Sequence, residues 1–351
     1  MGGVARSELV AAVARAGGYG CLGMVRERPE LIAAEIDAVR AQTDRPFSVN
    51  VIPAATDRRL LDEQLTVCLE KRVHSVSLFW DVDADVVEWV KSHGLLILHQ
   101  VGSVAHAVKA AAAGADVIVA QGFEAGGHVH GRVTSLVLLP QVVRAVDVPV
   151  VASGGFATGE SLVVAWALGA AGIQCGTALL ATKESFAHEY HKKRVVDATE
   201  EDTVHTEIFA VNWPPRSPVR VLENSVTRAE MKPTPETDDL LIAEPIATDA
   251  GRSILRTSTD SPLRTTTGDL EALALFAGQA VGQLDDVPSA QERIEAIMTA
   301  AERTLRMLRG ENEAASERSG SSMADRCEPH EYASPACYLH DFEGQGGDDG
   351  A

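Results

Sequence analysis

His128 is the side chain in this sequence that is best placed to do chemistry. It follows residues 117–120, an apolar run that predicts a buried strand, and it shares a loop with Gly126 and Gly127, whose backbone permits tight turns and the close approach of a ligand. Enzymes built on parallel strands present their reactive groups just beyond the carboxyl ends of those strands. Because an imidazole titrates close to neutral pH, His128 could take a proton from a carbon acid or donate a hydrogen bond to an oxyanion. It is therefore our candidate catalytic residue.

Two further ionisable residues lie in the same loop. His130 is a competing candidate, which we rank lower because it falls later in the loop. Glu124 precedes both histidines, and its carboxylate could either orient an imidazole or cap the loop. The sequence leaves these two roles of Glu124 open.

The residues expected at the carboxyl ends of the predicted strands share one character. They are polar, rich in glycine and nearly free of charge, which suits a flat, neutral, hydrogen-bonding cofactor ring. A metal ion would instead require several carboxylates or histidines together, so we predict a cofactor and no metal. The set consists of Asn50, Gln100, Gln121 and the loop that follows it with Gly126, then Ser153, Gly154, Gly155, Gln174, Cys175, Gly176 and Thr177.

Two of these strand ends are glycine loops, Ser153-Gly154-Gly155 and Gly176-Thr177. The first leads into a predicted helix over residues 159–168. Backbone N–H groups that are unpaired at the start of a helix form an anion site that needs no basic side chain. Because the last two strands are the usual phosphate position in barrels of this kind, we predict that a phosphate group binds these two loops.

The elements that must position these residues alternate regularly. Short apolar runs that predict strands are separated by amphipathic segments that predict helices, as in the helix over residues 29–42, the strand over 46–51 and the helix over 57–71. Such alternation implies right-handed βαβ units and a parallel sheet. An open doubly wound sheet would carry its glycine-rich phosphate loop after the first strand, whereas here the richest glycine loops follow the last three strands. The prediction is therefore an α/β fold of the TIM-type (β/α)8 barrel class.

Seven strands can be identified, one fewer than a closed barrel needs, and only residues 1–4 precede the first helix pattern. We therefore expect the barrel to lack most of strand 1.

After residue 182 the alternation stops, and residues 183–266, with many prolines and charges, are predicted to form a small lid or substrate region. The barrel would comprise residues 1–182 and 267–309, with its eighth helix over 269–281 and a further helix over 289–308.

The last segment, residues 310–351, is rich in glycine, serine and acidic residues and poor in aliphatic ones, so this acidic tail is predicted to be disordered. It contains Cys327, His330, Cys337 and His340, whose types and short spacings suit zinc. The pattern is not a common zinc finger and the segment has no apolar core, so we interpret these residues as incidental.

The composition excludes several classes of protein. The formal net charge is −19 and no cluster of Lys and Arg offsets it, so nucleic acid and anionic membranes would be repelled. We find no apolar run long enough to span a membrane, and no secretory signal pattern at the N-terminus. The 5 cysteines lack the spacing of a disulfide framework, which agrees with a reducing compartment, and we expect a cytoplasmic protein.

Three motifs resemble the nitronate monooxygenase family, formerly called the 2-nitropropane dioxygenases. They are AQGFEAGGH (120–128), ASGGFATGE (152–160) and GIQCGTALLATKES (172–185). Similar to other segments of that family are GGYGCLG (17–23), PFSVN (46–50), NWPPRSPVRVLENS (212–225) and GDLEALALFAGQAVG (268–282), so the resemblance runs from residue 1 to about residue 308. The histidine motif together with the two glycine loops is specific to the superfamily and less specific to the reaction.

The resemblance implies a TIM-type barrel that holds FMN noncovalently and oxidises alkyl nitronates with O2 to a carbonyl compound and nitrite. His128 would be the catalytic residue, which either deprotonates a neutral nitroalkane or only binds a nitronate. The phosphate of FMN would lie on Gly155, Gly176 and Thr177. The residues that would contact the flavin are Asn50, Gln121, Gly126, Gly155, Gln174, Cys175, Gly176 and Thr177. The quaternary state is open, with a homodimer as one candidate.

The N-terminus departs from the family pattern. Members of the family generally begin with a strand that ends in Ala-Pro-Met and lines the flavin, whereas this chain starts at what resembles that Met. Losing a central strand would leave the neighbouring strand edges unpaired. We therefore expect either that the true start lies upstream or that the barrel has seven strands and a weakened FMN site.

Three other functions fit parts of the pattern. An FMN-dependent enoyl-ACP reductase, or another flavin oxidoreductase that uses NAD(P)H, resembles this chain in the same EAGGH and glycine loops. A flavin-binding protein without turnover is compatible with the missing strand. A phosphosugar or nucleotide isomerase on the same barrel would be colourless.

Overall fold

The structure is a computed structural model that describes residues 1–228 and 244–311. The strands, in chain order, are β1 (Gly20–Gly23), β2 (Phe47–Asn50), β3 (Ser75–Phe79), β4 (Leu96–Val101), β5 (Val117–Gln121), β6 (Gly127–His128), β7 (Val150–Ser153), β8 (Gly172–Gln174), β9 (Thr203–Thr206), β10 (Val219–Leu222), β11 (Pro245–Asp249), β12 (Arg252–Leu255) and β13 (Thr266–Gly268). The helices are α1 (Ser7–Arg15), α2 (Pro29–Arg40), α3 (Arg58–Glu70), α4 (Ala84–Ser92), α5 (Val104–Ala113), α6 (Ser135–Ala145), α7 (Gly159–Ala167), α8 (Thr177–Leu180), α9 (Glu189–Val196), α10 (Ser225–Arg228) and α11 (Ala290–Leu308).

Seven of these strands form one parallel sheet in the order β1-β2-β3-β4-β5-β7-β8, which follows the order of the chain. A helix connects each strand of this sheet to the next, as the sequence pattern predicts. Consecutive parallel strands joined by helices are the arrangement of a TIM-type barrel, and the number seven agrees with the expected lack of most of strand 1. The predicted fold class is therefore confirmed.

The strands of this sheet are buried because their side chains are apolar on both faces. All five residues of β3 are buried, and the core cluster takes Leu22 from β1, Val49 from β2, Ile97 from β4 and Ile118 from β5. Branched aliphatic residues suit a strand that is covered on both sides, whereas helices with one apolar stripe cover it from outside. This two-layer packing holds the carboxyl ends of the strands at one edge.

Two smaller antiparallel sheets are built largely from the segment 183–266. One has the order β6-β10-β9 and joins the loop after β5 to this segment, and the other has the order β12-β11-β13. Residues Met1–Arg309 form one compact unit, so the division of this unit into barrel and lid stays a prediction.

The first residues of the chain cover the free edge of β1. The Gly3 N–H donates to the Gly23 carbonyl at 3.0 Å, and the Gly23 N–H donates to the Ala5 carbonyl at 2.9 Å. These bonds occupy part of the edge that a missing neighbouring strand would leave unpaired.

The predicted helix over residues 269–281 is wrong. This segment forms two short 3-10 turns, Leu270–Ala272 and Gln279–Gln283, with extended chain between them. The extended part is held from several sides: the Leu222 N–H donates to the Leu275 carbonyl at 2.8 Å, and Phe276 bridges to Val221 of β10. Leu273, Ala274, Leu275 and Ala277 are all buried, so tertiary packing overrides the helical spacing of the apolar residues.

The predicted acidic tail and its Cys327, His330, Cys337 and His340 lie outside the described residues. Within the described part, no helix is long and apolar enough to cross a membrane.

A substitution at Gly159, the first residue of α7, tests the packing of α7 on α11. A Cβ at Gly159 would overlap with the backbone of Ile297 and Ala301 in α11. Gly159→Ala should therefore lower the free energy of unfolding by about 1–3 kcal/mol, measured by urea unfolding followed by circular dichroism. Gly172→Ala is the matched control, because a Cβ there meets no atom within 4 Å. Equal effects of the two substitutions would show that this contact does not limit stability.

Candidate functional site

The backbone around His128 is fixed from several sides. His128 lies on β6, where it pairs with Val219 of β10. The Val129 N–H donates to the Pro218 carbonyl at 3.0 Å, and the Nε2 amide of Gln121, at the end of β5, donates to the His128 carbonyl at 3.0 Å. The segment 183–266 therefore holds the loop that bears the candidate catalytic residue.

The imidazole of His128 is enclosed by aromatic side chains. The indole of Trp213 stacks on it with ring centroids 3.4 Å apart and an angle of 19° between the rings. Trp80 approaches edge-on at 6.0 Å, and Phe276 lies 5.8 Å away at a tilt. The Nε2 atom of His128 is buried, and no described residue forms a hydrogen bond with it. A buried polar atom without a partner is costly, which marks Nε2 as a group that can serve a ligand.

Burial, and to a smaller extent the positive charge of the Arg26 guanidinium, lowers the pKa of His128 to about 3. The imidazole is therefore neutral over the whole physiological range of pH. A neutral imidazole can donate or accept a hydrogen bond, but it is a weak base, since the best general bases have a pKa near the working pH.

Amide side chains line the carboxyl edge of the sheet, as predicted. Asn50 ends β2 and donates through Nδ2 to the Ser77 carbonyl at 2.9 Å. Gln174 ends β8 and donates through Nε2 to Oε1 of Gln100 at 2.8 Å, so these two residues meet across the sheet. Gln121 is buried, and its Oε1 has no hydrogen-bond partner among the described residues. The edge thus offers neutral hydrogen-bonding groups and no cluster of charges.

Gly126 lies in close contact with a distant part of the chain. A Cβ at this position would overlap with the backbone of Ala277 and Gly278. Glycine is required here because two backbones approach each other directly.

The two glycine loops lie side by side, because β7 and β8 pair with Ser153 opposite Gln174. Gly154 and Gly155 adopt φ angles of +89° and +80°, which favour glycine. Among the described residues, no backbone carbonyl accepts a hydrogen bond from the N–H of Gly155 or of Gly176. These N–H groups are therefore available to an anion, as the sequence predicts for a phosphate.

Thr177 and Cys175, at the second glycine loop, make different contacts. Thr177 accepts a hydrogen bond through Oγ1 from the Gly278 N–H at 3.0 Å, which ties this loop to the segment that contacts Gly126. Cys175 packs against two apolar clusters, and burial raises the pKa of its thiol to about 11. Cys175 is therefore a neutral core thiol, and only its backbone remains for a cofactor.

The structure separates the roles of Glu124 and His130. The Glu124 carboxylate accepts hydrogen bonds from the backbone N–H of Ser135, at 3.1 Å to each oxygen, and from the Ser135 hydroxyl, so it caps the start of α6. His130 packs on His106 with ring centroids 4.6 Å apart and meets Trp80 edge-on at 4.6 Å. Trp80 thus contacts both His128 and His130.

Three residues near His128 were missed by the sequence analysis. Trp213 belongs to the predicted lid region and Phe276 to the predicted helix over residues 269–281, and nothing in their local pattern connects them with residue 128. Arg26 follows β1, and its guanidinium donates through Nη1 to the Asn212 carbonyl at 3.0 Å. Because Arg26 lies just beyond the end of β1, listing the residues after β1 as well as those after the later strands would have included it.

The family model described as nitronate monooxygenase matches residues 1–64 and 54–300 of this chain. A (3aS,4S,5R,7aS)-5-hydroxy-7a-methyl-1-oxo-octahydro-1H-indene-4-carboxyl-CoA dehydrogenase of Mycobacterium tuberculosis is 32% identical over 328 residues, which cover 85% of this chain and 90% of that protein. FabK from Thermotoga maritima superimposes with a TM-score of 0.75 at 31% identity, over 89% of this chain and 94% of FabK. A nitroalkane oxidase from Streptomyces ansochromogenes superimposes with a TM-score of 0.71 at 28% identity, over 88% and 95% of the two chains.

The buried histidines make the stability of the protein depend on pH. Burial lowers the pKa values of His99, His128 and His191 from the ordinary 6.5 to about 4, 3 and 4. Below pH 6.5 the unfolded chain therefore binds protons that the folded chain does not, so stability should fall as the pH is lowered from about 6.5 toward about 4. Each histidine should contribute up to about 1.4 kcal/mol per pH unit to this slope.

Urea unfolding at several pH values between about 4.5 and about 7.5 measures the slope. Because carboxyl groups also titrate there, wild type is compared with His128→Asn, which should remove the part of the slope that comes from one proton. An unchanged slope in His128→Asn would contradict the lowered pKa of His128.

Proposed function

The chain belongs to the nitronate monooxygenase family of flavin oxidoreductases, and from this premise we propose that it uses FMN to oxidise alkyl nitronates with O2 to a carbonyl compound and nitrite. The observation that carries the proposal is the buried, neutral imidazole of His128, whose Nε2 has no hydrogen-bond partner among the described residues. When bound, FMN supplies the redox chemistry, in which an electron leaves the nitronate and is passed to O2. The protein supplies binding, orientation and exclusion of water.

The residues of the carboxyl edge fit such a cofactor. The unengaged N–H groups of Gly155 and Gly176, with Gly154 and Thr177 beside them, would hold the phosphate. A phosphate held by backbone N–H groups needs no lysine or arginine, which agrees with the uncharged residues Gly154, Gly155, Gly176 and Thr177. The residues that would face the flavin ring or its ribityl chain are Asn50, Gln121, Gly126, Gln174 and Cys175.

His128 would bind the substrate rather than deprotonate it. With its pKa lowered to about 3 by burial, the imidazole is too weak a base to take a proton efficiently from a neutral nitroalkane. A nitronate is already an anion, and a neutral imidazole can donate a hydrogen bond to one of its oxygens. We therefore propose that nitronates are better substrates than the corresponding nitroalkanes.

The aromatic side chains around His128 would exclude water from the reacting atoms. Trp80 is buried, and Trp213 covers the face of the imidazole. In such a dry site, a hydrogen bond from Nε2 to a developing charge is stronger than it would be in water.

A second candidate function is oxidation or reduction of an acyl thioester with NAD(P)H as the partner of the flavin. It is favoured by the M. tuberculosis relative, which is a carboxyl-CoA dehydrogenase and matches 85% of this chain. The positive charge of Arg26 near His128 favours a nitronate over a thioester, because a thioester is uncharged at its reacting end. The cytoplasmic location and the homodimer stay predictions from the sequence.

Mixing experiments without O2 distinguish the two candidates. In protein loaded with FMN, an alkyl nitronate should bleach the flavin absorbance near about 450 nm faster than NAD(P)H or the matching nitroalkane does. His128→Asn should lower kcat/KM for the nitronate by about 100-fold or more while FMN remains bound, since one donor to a developing charge contributes on that scale.

His130→Asn is the matched control, because His130 lies in the same loop but packs on His106, and it should keep the wild-type rate. Faster bleaching by NAD(P)H than by nitronate would support the thioester enzyme instead. A fully active His128→Asn would remove His128 from the mechanism.

The phosphate site can be tested separately. In Gly155→Ala, the new Cβ would lie 3.0 Å from Cγ of Glu124, and alanine would be forced into a φ of +80°. We expect the Kd for FMN, measured by fluorescence titration, to rise by about tenfold or more. Gly94→Ala is the control, because Gly94 has a similar φ of +78° and a Cβ there meets no atom within 4 Å. If both variants bind FMN as wild type does, the phosphate does not lie on this loop.

A further inference from the structure

Arg26 has no paired carboxylate among the described residues, 1–228 and 244–311. Its Nη1 donates to a neutral group, the Asn212 carbonyl, at 3.0 Å. Its Nε is buried without a hydrogen-bond partner, and within residues 1–228 and 244–311 no group accepts from Nη2. None of the ion pairs formed by the described residues includes Arg26.

The two carboxylates whose charges act on Arg26 already pair with other arginines. Asp260 pairs with both terminal nitrogens of Arg252, at 2.9 and 3.2 Å, and also accepts from the Ser258 hydroxyl. Glu27 pairs with Arg6 at 3.1 Å. In a chain with a net charge of −19, carboxylates are abundant, so the lack of one for Arg26 is specific to this place.

The Arg26 guanidinium lies close to the candidate catalytic residue. The charge of Arg26 contributes to the lowered pKa of His128, and burial lowers the pKa of Arg26 itself. Its partner Asn212 immediately precedes Trp213, which stacks on His128. Arg26 therefore lies next to the segment that covers the His128 imidazole.

A partly buried cation without a directly paired counter-ion is unfavourable, because it loses hydration and gains only the weaker attraction of carboxylates that pair elsewhere. The cost is removed when an anion binds. With Nη1 occupied, Nε and Nη2 remain, and these two parallel N–H groups match an anion that carries two oxygens on one atom. A nitronate has this geometry, since its negative charge is shared by two oxygens on the nitrogen.

We propose that Arg26 is a specificity-determining residue that binds the two oxygens of the anionic substrate through Nε and Nη2, beside His128. The inference rests on the proposed nitronate oxidation for the identity of the substrate, while the anion site itself is independent of turnover. Arg26 would select the nitronate over the uncharged nitroalkane, and the Asn212 carbonyl would hold the guanidinium in place.

The experiment uses the FMN-loaded protein and two readouts. The first is the binding of nitrite or nitrate, unreactive anions with the same pair of oxygens, followed by the change in flavin absorbance. The second is kcat and KM for ethylnitronate. Because the first readout needs no turnover, a wild type that binds nitrite but does not oxidise ethylnitronate would count against the proposed function and leave the anion site supported.

Arg26→Gln should weaken nitrite binding by about tenfold or more, since it removes a charge-assisted hydrogen-bonded pair, and should raise KM more than it lowers kcat. Arg26→Lys keeps the charge without the fork and should lose at least about threefold in nitrite affinity. Arg59→Gln is the matched control for net charge, because the Arg59 side chain is 89% exposed and pairs only with Glu63 on the surface, and it should behave as wild type.

Nitrite affinity equal to that of wild type in Arg26→Gln would overturn the proposal. If Arg26→Gln does not fold or does not retain FMN, Arg26→Lys decides, and an unchanged nitrite affinity in that variant overturns the proposal as well. Weaker nitrite binding together with an unchanged affinity for neutral nitroethane supports an anion site, whereas equal losses for both compounds would indicate a purely structural role.

Discussion

The loop that carries His128 is packed so closely on its neighbours that side chains could not fit between the backbones. A Cβ at Gly126 would overlap with Ala277 and Gly278, and one at Gly154 would lie 2.9 Å from the Gly122 carbonyl. Gly278 in turn donates to Thr177, so the histidine loop, both glycine loops and the segment after β13 form one connected set. Because these contacts join backbone to backbone, or backbone to the short Thr177 side chain, the packing fixes the relative positions of the histidine loop and the two glycine loops. Such preorganisation lowers the entropy cost of binding a flavin and a substrate together.

The electrostatics of the site follow from the same enclosure. Surrounded by Trp80, Trp213 and Phe276, the imidazole stays neutral near physiological pH, and the nearby guanidinium of Arg26 also opposes its conversion to imidazolium. The site therefore offers one fixed positive charge, a neutral hydrogen-bonding ring and backbone N–H groups. These are binding groups for anions and for a polar, uncharged cofactor ring, and none of them is a strong base. A redox reaction performed by a flavin on a ready-made anion requires only such groups.

Family membership fixes the fold and the general chemistry, and the segment 183–266 shapes the substrate space. This segment brings Trp213 to His128, Asn212 to Arg26 and β10 to the strand that carries the histidine. A nitroalkane oxidase and a carboxyl-CoA dehydrogenase are both similar to this chain. Similar barrels therefore occur in proteins that act on different substrates, so the fold alone does not identify the substrate of this chain.

The sequence by itself determined the parallel strands, most of the helices and the polar edge where they end, because burial and helix periodicity are local patterns and parallel strands end at one edge. It therefore placed Asn50 and Gln121 at the ends of their strands, and Gln121 contacts the His128 carbonyl. It failed over residues 269–281, where the helical spacing of apolar residues was overridden by burial on all sides. Only the tertiary structure revealed Arg26 and Trp213 beside His128, since the hydrogen bond from Arg26 to Asn212 joins residues 186 positions apart. No local pattern encodes such a contact or the enclosure that, as the first cause, lowers the pKa of His128.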